Sequence, residues 1–142
     1  MASALQVRGT TRVVGIFGDP VTYTLSPRMH NAVFAELRLD YVYVPFRVPE
    51  KDLKKAVEAI RILQMAGVNV TIPHKQAVIP YLDELSPLAQ KIGAVNTIML
   101  RPTPELIDRY IRPLNSGKIG TLSYSDPETG SLFMVQELLT GS

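Results

Sequence analysis

The chain has 142 residues, of which 46% are hydrophobic, a size and composition that suit one apolar core in one globular domain. Its 15 basic and 13 acidic residues give a net charge of +2 and lack the basic block typical of nucleic-acid-binding proteins. The chain contains no cysteine, which excludes disulfides and thiolate metal sites. Its two histidines have no carboxylate cluster nearby, so no metal centre is expected.

The sequence shows no sign of membrane insertion. None of its apolar stretches approaches the roughly 18 to 20 residues needed to cross a bilayer. Its first eight residues lack the charged segment and the long apolar segment of a signal peptide. We therefore expect a cytoplasmic protein whose partners are neither membranes nor nucleic acids.

Strand and helix patterns alternate along the first hundred residues. Short apolar runs predict strands, and apolar residues at three- and four-residue steps predict helices. The predicted strands are 12–18, 41–46, 67–72 and 93–99. The predicted helices are 26–37, 51–63, 75–82 and 87–92. This alternation predicts an α/β fold, a mainly parallel sheet with helices on both faces, which binds ligands at the carboxyl ends of its strands.

The start of the first helix is marked by Ser26 and Pro27. A serine hydroxyl can cap free backbone N–H groups, and proline suits the first helical position. Met29, Val33 and Leu37 follow at four-residue steps and are expected to form the apolar face of this helix.

The segment 67–75, with the sequence Gly-Val-Asn-Val-Thr-Ile-Pro-His-Lys, holds the most informative pattern. Successive side chains of a strand alternate between faces, so Asn69 and Thr71 are expected on one face. The opposite face is expected to carry Val68, Val70 and Ile72. Pro73 cannot donate a sheet hydrogen bond, so we expect the strand to end there.

His74 and Lys75 then lie at the carboxyl edge of the sheet. An amide, a hydroxyl and an ammonium group would converge there, a set that suits a polyhydroxylated, anionic small molecule. The alternative is the solvated face of an ordinary strand followed by a solvated lysine. The segment alone does not choose between them.

Three motifs together resemble the substrate-binding domain of shikimate dehydrogenases. They are Gly-Asp-Pro at 18–20 with Thr-Leu-Ser-Pro-Arg-Met-His-Asn at 24–31, the segment 67–75, and Ile-Gly-Ala-Val-Asn-Thr at 92–97. The resemblance covers about residues 12–99, and three motifs in the family's order are specific. It implies the reversible reduction of 3-dehydroshikimate to shikimate with NADPH, a step of aromatic amino acid biosynthesis.

The resemblance also implies roles for individual residues. Lys75 corresponds to the family's catalytic lysine, which would exchange a proton with the substrate oxygen. Asn69, Thr71 and Asn96 would line the pocket and hold ring hydroxyls and the lysine. The family's aspartate beside the lysine has no clear counterpart, since Asp126 falls too far after Asn96 to align without a sizeable insertion.

The serine motif departs from the family's usual pattern of histidine, serine, any residue, serine and proline. This chain has Tyr-Thr-Leu-Ser-Pro at 23–27, so Thr24 and Ser26 would bind the substrate carboxylate. The positive end of the helix that Ser26 opens would favour an anion there. Ser26 as a helix cap without a ligand is the alternative. The methyl group of Thr24 leaves both shikimate and quinate as substrates.

Residues 100–142 do not resemble the family. A complete member continues into a nucleotide-binding domain, whereas this chain has no Gly-x-Gly-x-x-Gly motif and only 43 residues from position 100. Residues 104–111 predict a short helix, and the turn at 125–130 predicts a β-hairpin. The division is therefore a domain at 1–99 and a tail at 100–142. A divergent replacement, an insertion, and a foreign segment joined to a truncated domain all remain open for the tail.

Two function classes follow. The chain is either the substrate-binding half of a shikimate dehydrogenase, binding shikimate, 3-dehydroshikimate or quinate, or a non-catalytic module that uses the tail for self-association or partner binding. In the first case we expect no cofactor bound by this chain alone, no hydride transfer without a nucleotide domain, and NADP in the complete enzyme. A homo-oligomer is left open.

Overall fold

The computed structural model describes residues 5–100, which form one four-stranded sheet covered by helices. The strands are β1 (Arg12–Gly18), β2 (Tyr41–Arg47), β3 (Gly67–Val70) and β4 (Thr97–Met99). The helices are α1 (Ser26–Glu36), α2 (Leu53–Ile62), α3 (His74–Ala77) and α4 (Pro87–Ile92), with 3-10 turns at Glu50–Asp52 and Ile79–Tyr81. The predicted tail helix, the predicted hairpin and Asp126 lie outside the described residues. No helix within residues 5–100 is long and apolar enough to span a membrane.

The strand order is β2-β1-β3-β4. β1 pairs in parallel with both β2 and β3, whereas β4 runs antiparallel to β3. The predicted mainly parallel sheet is therefore confirmed. Because β1, β2 and β3 run in the same direction, their carboxyl ends meet at one edge, where an open α/β sheet binds its ligands.

Both faces of the sheet are apolar and covered, as predicted. Side chains alternate along β1, so that Val14 and Ile16 face α1 while Phe17 faces the opposite side. The core on the α1 face contains Val14, Ile16, Val33, Phe34, Tyr43 and Ala66. The core on the α2 face contains Phe17, Leu53, Val57, Ile60, Val68 and Val70, among others. Each large apolar side chain buried in this way contributes about 1.5 to 3 kcal/mol.

The start and the apolar face of α1 differ from the prediction. Leu25 occupies the cap position without a side-chain cap hydrogen bond, and Ser26 is the first helical residue. The buried residues are His30, Val33 and Phe34, a stripe at three- and four-residue steps. Leu37 is 44% exposed because the helix ends at Glu36, so this residue lies beyond the buried stripe.

β3 is shorter than predicted, since it ends at Val70 instead of Ile72. The chain turns at residues 72–73 and leaves Ile72 71% exposed, so this side chain does not continue the buried face of the strand. The predicted helix 75–82 is two short pieces, α3 and a 3-10 turn that contains Pro80. Proline has no N–H for a helical hydrogen bond, which explains the break.

The fourth strand also begins later than predicted, at Thr97 instead of Gly93. Gly93 ends α4 in the left-handed conformation, with φ of 73°, and the following residues connect this helix end to β4. α4 itself has the predicted bounds. The Ser86 hydroxyl caps it by accepting a hydrogen bond from the Ala89 N–H group, and Pro87 occupies the first helical position.

A side chain from α1 satisfies the outer edge of the sheet. β2 has a neighbouring strand on one side alone within residues 5–100, so part of its backbone needs other partners. The Asn31 side chain donates to the Tyr43 carbonyl oxygen at 3.0 Å and accepts from the Tyr43 N–H group at 2.8 Å. This amide clamp fixes the backbone of Tyr43 against α1.

We expect Asn31→Ala to lower the free energy of unfolding by about 1 to 3 kcal/mol, because it leaves two partly buried backbone groups without partners. The measurement is urea unfolding followed by circular dichroism. Gln90→Ala is the control, because it removes an exposed amide that makes one hydrogen bond of 3.3 Å, and it is expected to cost less than about 0.5 kcal/mol. Equal losses in both variants would contradict the clamp.

Candidate functional site at the carboxyl edge of the sheet

Three buried polar side chains form a hydrogen-bonded chain on the α1 face of the sheet. The Tyr43 hydroxyl donates to Oδ1 of Asn69 at 2.7 Å, and Nδ2 of Asn69 donates to Oγ1 of Thr97 at 3.0 Å. Their exposed fractions are 2%, 8% and 4% for Tyr43, Asn69 and Thr97. Asn69 lies opposite Thr97 on one side and opposite Ile16 on the other, so the tyrosine side chain reaches across β1.

The Tyr43 side chain is itself closely surrounded. The imidazole of His30 stacks on its ring, with centroids 4.3 Å apart and planes at 7°. The Ser26 hydroxyl hydrogen-bonds to the Tyr43 hydroxyl. Burial raises the pKa of Tyr43, and the hydrogen bond from Ser26 opposes that rise without cancelling it. The phenol therefore keeps its proton and can donate it to Asn69.

His30 is a structural partner of Tyr43. It is 1% exposed, and burial lowers the pKa of its imidazole from 6.5 to about 4. The ring is therefore uncharged at neutral pH, which suits its stacking between α1 and the sheet. Its buried Nδ1 atom has no hydrogen-bond partner within the described residues.

The backbone after β3 is joined to the carboxyl end of β1. The Thr71 N–H group donates to the Phe17 carbonyl oxygen at 2.9 Å, and the Asp19 N–H group donates to the Ile72 carbonyl oxygen at 3.0 Å. Gly18 lies between these two bonds. A Cβ atom at Gly18 would overlap Cγ2 of Thr71, so the absence of a side chain there lets Thr71 pack directly on β1.

His74 and Lys75 follow the turn but have different surroundings. His74 is fully buried, and its Nε2 atom donates to the Val48 carbonyl oxygen at 2.6 Å, which fixes α3 against the segment after β2. Lys75 is exposed, and within residues 5–100 its side chain makes no ion pair. Its backbone carbonyl accepts a hydrogen bond of 2.8 Å from the Val95 N–H group.

The remaining predicted residues lie on the same connections. The Asn96 carbonyl oxygen accepts from the Val70 N–H group at 2.8 Å, which joins the exposed Asn96 to the end of β3. Thr24 Oγ1 accepts from the Ser26 N–H group at 3.3 Å. Ser26 in turn connects to Asn69 through Tyr43. The roles of all six predicted residues toward a ligand stay predictions.

Residue patterns did not identify Tyr43, Thr97 or His30 as parts of this arrangement. Alternation along β2 places Tyr41 and Tyr43 on one face, but the partner of the tyrosine hydroxyl depends on the register of two further strands. Thr97 closes the third motif, directly after Asn96. Its position opposite Asn69 follows only from the antiparallel pairing of β4.

Comparison with known proteins agrees with the three motifs. The family described as shikimate dehydrogenase substrate binding domain matches residues 16–98, which is more than half of the chain. The chain belongs to this family. It is 58% identical over 94 residues to a shikimate dehydrogenase (NADP(+)) of Desulforamulus reducens, a match that covers 66% of this chain and 32% of that protein.

Solved structures of shikimate dehydrogenases have the same fold. A shikimate dehydrogenase in complex with NADP+ superimposes with a TM-score of 0.65 at 47% identity, covering 66% of this chain and 33% of that one. The enzyme from Listeria monocytogenes, in complex with shikimate and NAD, gives a TM-score of 0.65 at 32% identity. This match covers 96% of this chain and 50% of that one. The chain thus spans about a third of the length of the first of these relatives.

The described residues of this shikimate dehydrogenase domain do not fit a dinucleotide. The connection from β1 to α1, residues 19–25, contains no glycine, whereas a pyrophosphate binds a glycine-rich turn at this place. Gly18 ends β1, and the position of its missing side chain is filled by Thr71. No group of three or more metal-binding side chains occurs within residues 5–100.

The buried imidazole predicts a pH-dependent stability. Unfolding restores the ordinary pKa of His30. Between pH 6.5 and about 4 the unfolded chain therefore binds a proton at His30 that the folded chain does not bind. Stability therefore falls as the pH is lowered through this window. From pH 7 to pH 5 the loss attributable to His30 is about 2 kcal/mol.

Urea unfolding at both pH values, with His30→Phe as the comparison, measures this contribution. Phenylalanine keeps an aromatic ring against Tyr43 but cannot titrate, so the variant should lose about 2 kcal/mol less than the parent. The pKa of Asp40 is lowered from 3.8, chiefly by its hydrogen bond with Thr10. The stability that its carboxylate contributes is therefore lost only below this pH window. The same pH dependence in both proteins would show that His30 is not the group responsible.

The close packing at Gly18 predicts a cost for any side chain there. Gly18→Ala would force the new methyl group against Thr71, with the Ile72 carbonyl oxygen also only 3.2 Å away. We expect the free energy of unfolding to fall by about 1 to 3 kcal/mol. Gly9→Ala is the matched control, since a Cβ atom there meets nothing within 4 Å. Similar losses at both positions would contradict this description of the β1 edge.

Proposed function

We propose that this chain binds shikimate or a close relative at the carboxyl edge of its sheet, as the substrate-binding part of an NADP-dependent shikimate dehydrogenase. The observation that carries the proposal is the buried amide of Asn69. Tyr43 and Thr97 occupy Oδ1 and one of its two N–H groups, which leaves one N–H group to donate to a ring hydroxyl. Family membership supports the same conclusion.

The carboxylate of the substrate is assigned to the start of α1. Within the described residues the cap position of this helix supplies no side-chain hydrogen bond and its first turn has no acidic residue, so its positive end favours an anion. The hydroxyls of Thr24 and Ser26 lie at this helix start. Together they provide hydrogen-bond donors for an anionic group.

Thr71 and Asn96 are assigned to the remaining ring hydroxyls. Both are held by backbone hydrogen bonds to the central strands, Thr71 to Phe17 of β1 and Asn96 to Val70 of β3. Binding groups on such rigid elements lose little conformational freedom when a ligand arrives. This arrangement favours a compact, polyhydroxylated ring over a flexible chain.

Lys75 is assigned to proton transfer. In the direction of reduction its ammonium group would donate a proton to the substrate oxygen that becomes a hydroxyl, and in the reverse direction its amine would take that proton back. The absence of an ion pair within residues 5–100 leaves the Lys75 head group free to meet a ligand. The nicotinamide cofactor supplies the hydride in this chemistry, and no residue described here is assigned to its binding.

Both shikimate and quinate remain candidate substrates. Thr24 places a hydroxyl where the family usually has serine and adds a methyl group beside the proposed carboxylate site.

The competing function as a self-associating module depends on residues 100–142.

The test replaces Lys75 with methionine and titrates the chain with shikimate by calorimetry. Methionine keeps most of the apolar stem and removes the charge, so the free energy of unfolding should change by less than about 0.5 kcal/mol. Shikimate affinity should fall about tenfold, because a charged hydrogen bond to the ligand is lost. Lys55→Met, on the exposed face of α2, is the control and should bind like the parent.

Two results would overturn the assignment. A large loss of stability in Lys75→Met with unchanged affinity would identify a structural lysine. No binding of shikimate or quinate by the unmodified chain, at concentrations up to the millimolar range, would remove the proposed function itself. Titration with both acids in parallel also decides the preference that Thr24 leaves open.

A further inference from the structure

The hydroxyl of Tyr43 is buried within the sheet, where it donates to Asn69. A phenylalanine at this position would fill the same space between Val14, Phe34 and the ring of His30. The hydroxyl adds no apolar area, and its burial has a desolvation cost that hydrogen bonds must offset. Its partners are Ser26 and Asn69, two residues to which the proposed function assigns substrate contacts.

We propose that Tyr43 is a positioning residue of the substrate site, whose hydroxyl holds the Asn69 amide in the orientation that presents its remaining N–H group to a substrate hydroxyl. This inference rests on the proposed function and extends it by one residue. Tyr43 acts here through Asn69 and is not itself assigned a contact with the substrate.

Three independent contacts fix the tyrosine before any ligand binds. Asn31 clamps its backbone with two hydrogen bonds, and His30 stacks on its ring at 4.3 Å. The Ser26 hydroxyl is a hydrogen-bond partner of the Tyr43 hydroxyl. A tyrosine side chain has two main torsions, and these contacts restrain the backbone, the ring and the hydroxyl, so its donor to Asn69 points in one direction.

The asparagine needs such a restraint. The terminal torsion of an asparagine side chain is broad, so a single partner does not define the plane of the amide. Thr97 holds one N–H group at 3.0 Å, and Tyr43 holds Oδ1 at 2.7 Å from the opposite side. Two partners on opposite ends of the amide fix its plane, and the second N–H group then has a defined direction.

Tyr43→Phe tests the inference, with Tyr41→Phe as the matched control. Both variants remove a phenol hydroxyl from the α1 face of β2, two residues apart. Calorimetric titration with shikimate at 25 °C should show about fivefold to tenfold weaker binding for Tyr43→Phe, as expected for the loss of about one hydrogen bond. Tyr41→Phe should stay within about twofold of the parent.

A second measurement reports on the amide directly, without ligand. The side-chain NH₂ signals of Asn69 in a ¹⁵N–¹H spectrum can be assigned by their absence in Asn69→Asp. They should shift or broaden in Tyr43→Phe and remain in place in Tyr41→Phe. A merely structural tyrosine would lower the melting temperature and leave the affinity of the folded chain unchanged.

The outcomes separate the two proposals. If the parent binds shikimate and Tyr43→Phe binds it equally well, the positioning role is wrong and the proposed function stands. If the parent binds neither shikimate nor quinate, both are wrong. Should Tyr43→Phe fail to fold, Thr97→Val removes the partner at the other end of the Asn69 amide and carries the same expectation, and unchanged affinity in that variant would equally overturn the inference.

Discussion

The burial of one amide in an apolar sheet constrains much of this structure. Asn69 lies on β3 with the isoleucine of β1 on one side and Thr97 of β4 on the other. An amide without partners in such surroundings costs about 1 to 3 kcal/mol, so its neighbours must supply hydrogen bonds. A shift of β3 by one residue would turn Asn69 toward the α2 core and Val68 toward Tyr43. The hydrogen bonds of Asn69 therefore favour a single register.

The same constraint connects fold and site. The donor to Asn69 is Tyr43 of β2, whose backbone is held by Asn31 of α1. The acceptor from Asn69 is Thr97 of β4. Partners from β2 and β4, with α1 behind β2, thus hold the two ends of this amide. At the carboxyl end of β1, Gly18 allows Thr71 to approach the strand closely, so a second proposed ligand residue is fixed by backbone packing.

Local patterns predicted those elements whose signals are local. The bounds of β1 follow from an apolar run closed by glycine, and those of α4 follow from the pair Ser86 and Pro87 at one end and Gly93 at the other. The face of α1 was predicted correctly at Val33 but did not include His30, a polar residue that is buried by stacking on a ring from another element. The end of β3 was placed too late because the turn that contains Pro73 already begins at Ile72, and the strand ends at Val70.

Local sequence signals likewise predict some residues of the candidate site and not others. Asn69, Thr71 and Lys75 could be proposed from sequence because they lie within one short motif that resembles a family. Tyr43 could not, since it lies 26 residues away from Asn69 and reaches it across an intervening strand. Sequence spacing carries no information on such a contact until the order and the register of the strands are known.

The contrast between Asn69 and Lys75 follows from what each group is proposed to do. An orienting amide works best when its plane is fixed, which requires burial and partners on both sides. A group that exchanges a proton must reach the substrate atom in two protonation states, so its side chain needs freedom while its backbone stays in place. Lys75 has an exposed side chain and a backbone carbonyl bonded to Val95, next to Asn96. The fold thus places the proposed binding groups on fixed backbone, and the proposed proton-transfer group on an exposed side chain, at the edge of the same sheet.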